Sequence, residues 1–359
     1  MIPALPESRG DPLDSVTQMA LGAAVGHAVL GRRIGASAAL YGAVLGTLPD
    51  LDVLVPHADP VSTFTWHRSW SHSLLVLTLV APALAVGLQR LHGRWTARAA
   101  SGPPPRFGAW WALVFGALVT HPLLDAFTIY GTQLLWPLDP WPFGLGSIFI
   151  IDPIYTLPLA GGLVATLVLA RCSIRWAALP NALGLVLSTV YLGWSVLAQG
   201  WMEAHARHAL QEKDIAVDQL LATPAPFNTL LWRVLAIQPD GSYVEGFDSL
   251  VDGSDRLTVT RFPSDRSLLE GIRDHGPMRR LAWFTKGYYA VRREGDDVVM
   301  TDLRMGVEPS YVFSFRVGTV ANPHARPAPT RQLRTEFDLG RLGDLWDRIW
   351  DADADVSRR

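Results

Sequence analysis

Thiols are almost absent, for Cys172 is the single cysteine among 359 residues. That excludes an intramolecular disulfide and any zinc module built on several thiolates, and leaves His and carboxylates as the ligands open to a metal. Charge is scarce as well. Asp, Glu, Lys and Arg make up 18% of the chain and the formal net charge is -2, with an isoelectric point near 6.5. No global basic field is available to recruit nucleic acid, so nucleic acid is not expected as a partner. The first residues carry Pro3, Pro6 and Pro12 amid mixed charge. This is not the basic-then-apolar layout of a cleavable signal peptide, and the first membrane helix is expected to serve as its own insertion signal. Internal repeats and low-complexity segments are missing too.

What remains is apolar. Hydrophobic residues reach 49% and mean hydropathy is +0.18, both high for a water-soluble domain. Charge-poor stretches run at about Val16 to Leu30, Ala36 to Leu54, Ser73 to Leu88, Phe107 to Phe127, Phe149 to Leu169 and Trp176 to Trp201, each near or slightly under the ~20 residues that cross a bilayer. After Glu203 charges interleave with short β-rich runs such as RLTVT, LAWFTKGYYAVRR, DDVVMTDLRM and YVFSFRVGTV. The expected fold is therefore a polytopic α-helical membrane bundle of about six helices over residues 1–202, followed by a soluble α+β domain over residues 203–359. His205 to Leu221 reads as a polar helical connector, and Pro224 and Pro226 as a boundary signal. Trp66, Trp70, Trp110, Trp111, Trp136 and Trp141 read as an interfacial aromatic belt.

Arginines set the expected orientation. Arg32 and Arg33, then Arg90, Arg94, Arg98 and Arg106, then Arg171 and Arg175 mark three loops as cytoplasmic, because short inner loops are rich in Lys and Arg. The other helix ends and the C-terminal domain then lie outside the cytoplasm.

Polar motifs interrupt the apolar text at those outer ends. They are TLPDLD with Asp50 and Asp52, WHRSWSHS with His67 and His72, and THPLLDAFTIYG with His121 and Asp125. Ionisable groups in such segments are costly and usually functional. His121 and Asp125, four apart, share a helix face and can reach one ion. Asp50 and Asp52 follow Pro49, where a helix end can turn both carboxylates to one point. Imidazole with carboxylate suits Zn, Mn or Fe. Asp152 is a further ligand or orients one. His27 is also a candidate, although it lies nine residues deeper than Gln18, about 13 Å at ~1.5 Å per residue. Arg68, between two proposed ligands, suits a phosphate or carboxylate clamp. Each motif alone has a plainer reading: a hydrogen-bonded core His, an Asp cap, a snorkelling Arg. Three converging on one membrane face favour a site.

On these motifs, together with LGAAVGHAVLG and IDPIYTLPL, the chain resembles the bacterial membrane-bound metal-dependent hydrolases related to YdjM over about residues 13 to 170. The resemblance implies a distant similarity to the zinc phospholipase C and nuclease superfamily, whose helical bundles hold several zinc ions through His and Asp, including a His-x-x-x-Asp pair. His121 and Asp125 fit that pair. Many family members have a His near the start of helix one where this chain has Gln18, so His27 is the residue expected to stand in for it.

The expectation is thus a multi-pass protein of the bacterial inner membrane that hydrolyses a phosphoester or related ester of a membrane lipid or other amphipathic substrate. One to three divalent ions, zinc foremost, are held by His27, Asp50, Asp52, His67, His72, His121, Asp125 and Asp152, with Arg68 and Asp52 as catalytic residues. The rival is a non-catalytic membrane scaffold or regulator with a structural metal.

Overall fold

Small residues at every fourth position shape the first hairpin, α1 (Asp14–Ile34) and α2 (Ala36–Thr47). A Cβ on Gly42 would lie 2.1 Å from the Gly22 carbonyl oxygen, one on Gly26 2.5 Å from that of Ala38, and one on Gly46 2.7 Å from that of Gln18. Only glycine allows backbones to approach so closely, as in small-xxx-small membrane pairs. Gly35 (φ 59) makes the tight reversal. Pro49 stops α2, since proline has no N–H with which to continue the helical ladder. The expected helix from Ala36 to Leu54 therefore ends at Thr47, and residues Pro49–Leu54 form a 3-10 turn.

This architecture is seen in a computed structural model that describes residues 14–96, 103–172, 174–251, 257–321, 324–333, 340–354 and 356. Arg98 and the early prolines Pro3, Pro6 and Pro12 lie outside the described residues. After the hairpin come the short α3 (Pro60–Trp66), then α4 (Leu74–Thr96), α5 (Phe107–Asp125), α6 (Pro153–Arg171) and α7 (Leu179–Glu212). Among the described residues four helices, α4 to α7, are long and apolar enough to cross a membrane. The expected six included α1, which Gln18 and His27 make less apolar, and α2, whose 12 residues cover only about 18 Å of a ~30 Å hydrocarbon layer. Trp110 is not part of a surface belt. It is buried beside Tyr41 and His92 in the core of α2, α4 and α5.

α7 continues well past the membrane, absorbing the first part of the expected connector and crossing the 202/203 boundary without a break. Two four-stranded antiparallel sheets and a two-stranded ribbon follow among the described residues. The first is a meander of β1 (Gln219–Pro224), β2 (Leu231–Ile237), β3 (Tyr243–Ser249) and β4 (Thr258–Phe262). Beyond α8 (Gly276–Phe284) come β5 (Tyr289–Glu294), β6 (Asp297–Asp302), the small pair β7 (Gly306–Val307) and β8 (Ser310–Tyr311), β9 (Ser314–Thr319) and β10 (Arg326–Leu333). Their main sheet has the order β10-β9-β6-β5. α9 (Arg341–Trp350) closes the described chain against β2 and β3. The LAWF part of the expected β-rich run lies in α8, where Met278, Leu281 and Phe284 recur at helical spacing and are buried.

The bundle and this domain share a core. Val61 and Phe64 of α3 are buried among Met278, Leu281, Phe284 and Phe315, with the Phe64 ring 4.3 Å from that of Phe313 and 4.9 Å from that of Phe284. Asp59 caps α3 by accepting from the Val61 and Ser62 amides, and Pro60 follows it at the first helical position.

Candidate metal centre

Three chain segments deliver the site. Pro49 sets Asp50 and Asp52 in the turn after α2, α3 leads into the His67 to His72 segment, and the last turn of α5 carries His121 and Asp125. Arg68 has φ 61, a strained left-handed conformation for a non-glycine residue. It is held by its amide donating to Asp52 Oδ2 (3.0 Å) and its carbonyl accepting from the Gln133 amide (2.9 Å).

Asp50, His72, His121 and Asp125 converge so that one donor atom from each lies within 4.8 Å of the others. Four atoms define six separations, and five are short: His72 Nε2 to His121 Nε2 3.1 Å, His72 Nε2 to Asp125 Oδ2 3.2 Å and to Asp50 Oδ1 3.4 Å, and His121 Nε2 to Asp50 Oδ1 and to Asp125 Oδ2 3.3 Å each. A tetrahedral zinc about 2.0 Å from each donor needs neighbouring donors about 3.3 Å apart. The residues fit a divalent cation on this ground, and on two more. The buried Asp125 Oδ2 accepts no hydrogen bond, and both imidazoles present Nε2 inward because their other nitrogens are engaged.

His121 Nδ1–H donates to the Gly46 carbonyl at 2.5 Å. His72 Nδ1–H donates to Ser71 Oγ (2.9 Å), whose hydroxyl donates to Asp52 Oδ2 (2.5 Å). Tautomers are assigned here from those partners, which is how outer groups aim ligating imidazoles. Asp125 Oδ1 accepts from Gln18 Nε2 (2.9 Å) and lies 3.3 Å from an Arg68 guanidinium nitrogen, which leaves Oδ2 for the cluster.

The eight expected ligands divide accordingly. Asp50, His72, His121 and Asp125 form the group, while His27, Asp52, His67 and Asp152 stand outside it. Asp52 has both oxygens in hydrogen bonds, to His67 Nδ1 (2.7 Å), Ser71 and the Arg68 amide. Burial pushes its carboxyl up, but the His67 hydrogen bond and charge outweigh it and hold the group below the ordinary range. Asp50 behaves alike: burial raises it, and the His121 and His72 rings beside it outweigh that and lower it. Asp152 caps α6 through the Ile154 amide and accepts from Tyr191. His27 is buried against Gly31 of its own helix. Gln18 was legible only as a break in a pattern, and it proves to be the residue of α1 that touches the site.

Asp50, Asp125 and Arg68 line a narrow cleft with Gln18, Thr128 and Tyr155. Arg68 also donates to Thr128 Oγ1 (3.1 Å) and lies over the Tyr130 ring.

Fold and site together define an integral membrane protein that gathers two His and two Asp at one end of a helical bundle, beneath a β-rich domain. The chain belongs to the YdjM inner membrane protein family, whose sequence model it matches over residues 13–202. No curated protein and no solved structure matches it.

Proposed function

We propose that the chain is a membrane-embedded metal-dependent hydrolase that cleaves a phosphoester of an amphipathic substrate. The observation that carries this reading is the cleft. The cluster edge between Asp50 and Asp125 forms its wall, and Arg68 stands in the same wall. Asp50, at 21% side-chain exposure against 0 to 2% for the other three, is the side from which solvent reaches the cluster.

A divalent cation held by Asp50, His72, His121 and Asp125 would supply a water of lowered pKa and would polarise a phosphoryl oxygen. Gln18 and Arg68 fix the Asp125 carboxylate, and the Gly46 carbonyl and the Ser71–Asp52 pair fix the two imidazoles. Arg68 is placed to hold a non-bridging oxygen through charge-assisted hydrogen bonds. Asp52, with both oxygens accepting, serves as a positioning residue rather than the base.

The same proposal places the cluster and the C-terminal domain outside the cytoplasm. Arg32 and Arg33 end α1, Arg106 precedes α5 and Arg171 ends α6, all at the bundle end away from the cluster, as inner loops require.

One specific observation favours a second reading, a non-catalytic scaffold with a structural ion: four protein donors can complete a tetrahedron without water. The deciding experiment measures bound metal and turnover on a panel of phosphoesters in the purified protein. Hydrolysis that is lost with the metal and restored with it supports the enzyme. A fully metallated protein inert on the whole panel supports the scaffold.

A further inference from the structure

α9 has a face left open by the described residues. Ile349 is buried beneath the helix, and Arg348 donates to the Phe247 carbonyl, which fixes it on β3. Trp346 and Trp350 nevertheless are 60% and 61% exposed, with ring centroids 6.3 Å apart. At 100° per residue Trp346 and Trp350 are about 40° apart with Gly343 about 20° beyond Trp350, Asp347 follows about 40° past Gly343, and Asp344 lies at the far edge of the exposed arc, about 160° from Trp346.

The level of this helix follows from the bundle. α6, 19 residues long, measures about 28 Å, close to the ~30 Å of hydrocarbon, so its first residue marks one membrane boundary. Tyr191 of α7 donates to Asp152, the cap of α6, and so lies at that boundary. Thr229 of the β1–β2 loop is hydrogen-bonded to Tyr191 and to Trp194 Nε1, which holds the loop there. The Leu230 carbonyl accepts from the Leu250 amide, and the neighbouring Ser249 hydroxyl donates to the Ile349 carbonyl. Leu230, Leu345 and Ile349 share one core cluster. The exposed Phe227 of the same loop contacts Phe149, just before α6.

We propose that α9 lies in the headgroup layer on the side of the membrane where the C-terminal domain sits, with Trp346 and Trp350 as its anchors. Tryptophan favours this layer because its indole has an apolar body and one polar N–H. The exposed carboxylates of Asp344 and Asp347 face water and disfavour anionic lipid, so the occupant is a zwitterionic headgroup.

The test uses the full chain in phosphatidylcholine nanodiscs. In a Cys172→Ser background, single cysteines replace Gly343, Asp344, Trp346, Asp347 or Trp350 and carry a nitroxide, and collision with oxygen is compared with collision with a water-soluble nickel chelate. Gly343→Cys keeps both tryptophans, so its result does not depend on removing an anchor. The expected result is a several-fold higher oxygen-to-nickel ratio at 343, 346 and 350 than at 344, with 347 between them. Equal chelate access at all five positions overturns the proposal. So does dipolar broadening between labels on different molecules at 346, which would give the face to a second copy.

Discussion

Gly42→Ala tests whether the glycine hairpin positions the proposed metal centre. The new methyl would stand 2.1 Å from the Gly22 carbonyl oxygen, where ordinary contact begins at 3.4 Å. Both neighbours are backbone, so α1 and α2 must part by about 1.3 Å, a gap that removes most of their mutual dispersion contact. Gly46 lies one turn farther along α2, and its carbonyl accepts from His121 Nδ1 at 2.5 Å. Carried to that point, the shift stretches the bond to about 3.8 Å, beyond hydrogen-bond range. His121 then loses the partner that aims Nε2, a loss that typically lowers metal affinity about 10- to 100-fold. Overpacking itself costs about 1–3 kcal/mol. The control is Gly87→Ala, where nothing lies within 4 Å and helix propensity favours alanine. Zinc affinity is read by chelator competition in micelles, beside the apparent unfolding temperature. Wild-type zinc affinity in Gly42→Ala would refute the claim that the hairpin aims His121.

Four further outcomes are expected. His121→Ala and Asp125→Ala each bind less metal than wild type after dialysis, and full occupancy in both, by elemental analysis, removes the cluster as a metal site. Arg68→Lys retains metal and fold but loses on the order of 10²-fold in phosphoester turnover, because an ammonium does not reproduce the planar fork; unchanged turnover takes Arg68 out of the chemistry. Burial and the nearby Arg304 push Lys286 down to about 8, against the opposing pull of Asp302. Its charged form thus destabilises the fold fully below pH 8, and the penalty fades as pH rises toward about 10.5. Lys286→Met should raise the apparent unfolding temperature at pH 7 and give no gain near pH 10.5, and a gain independent of pH contradicts this. Finally, a reporter fused after Arg359 should act outside the cytoplasm and one at Arg98 inside; the opposite pattern inverts the proposed topology.

The polar motifs were legible because ionisable groups stand out in apolar text and helical spacing puts His121 and Asp125 on one face. Choosing among them was not. Asp50 and Asp52 differ only in where the turn after Pro49 points them, and His67 and His72 only in which one the strained Arg68 backbone swings inward. The Gly46 carbonyl is backbone and has no side-chain signature. Gln18 looked like a missing ligand, yet an amide donor on Asp125 Oδ1 does as much to aim that carboxylate as a charged residue would. Pro49 did signal the early end of α2, but the apolar residues on either side of Asp50 and Asp52 masked it. The descent of Phe64 into the other domain has no local trace, since a phenylalanine in an apolar stretch fits either a lipid-facing or a core position.

The Phe64 socket also orders events in time. Asp50, His72, His121 and Asp125 all leave the ribosome early, but the segment bearing His72 is fastened to a wall made much later. Arg280, which donates to Thr65, lies 215 residues downstream. A nascent chain ending near Met202 has every donor atom and no socket for α3. On the proposed function, cation capture would then be the last step of maturation, and a half-made protein in the membrane would carry no finished centre.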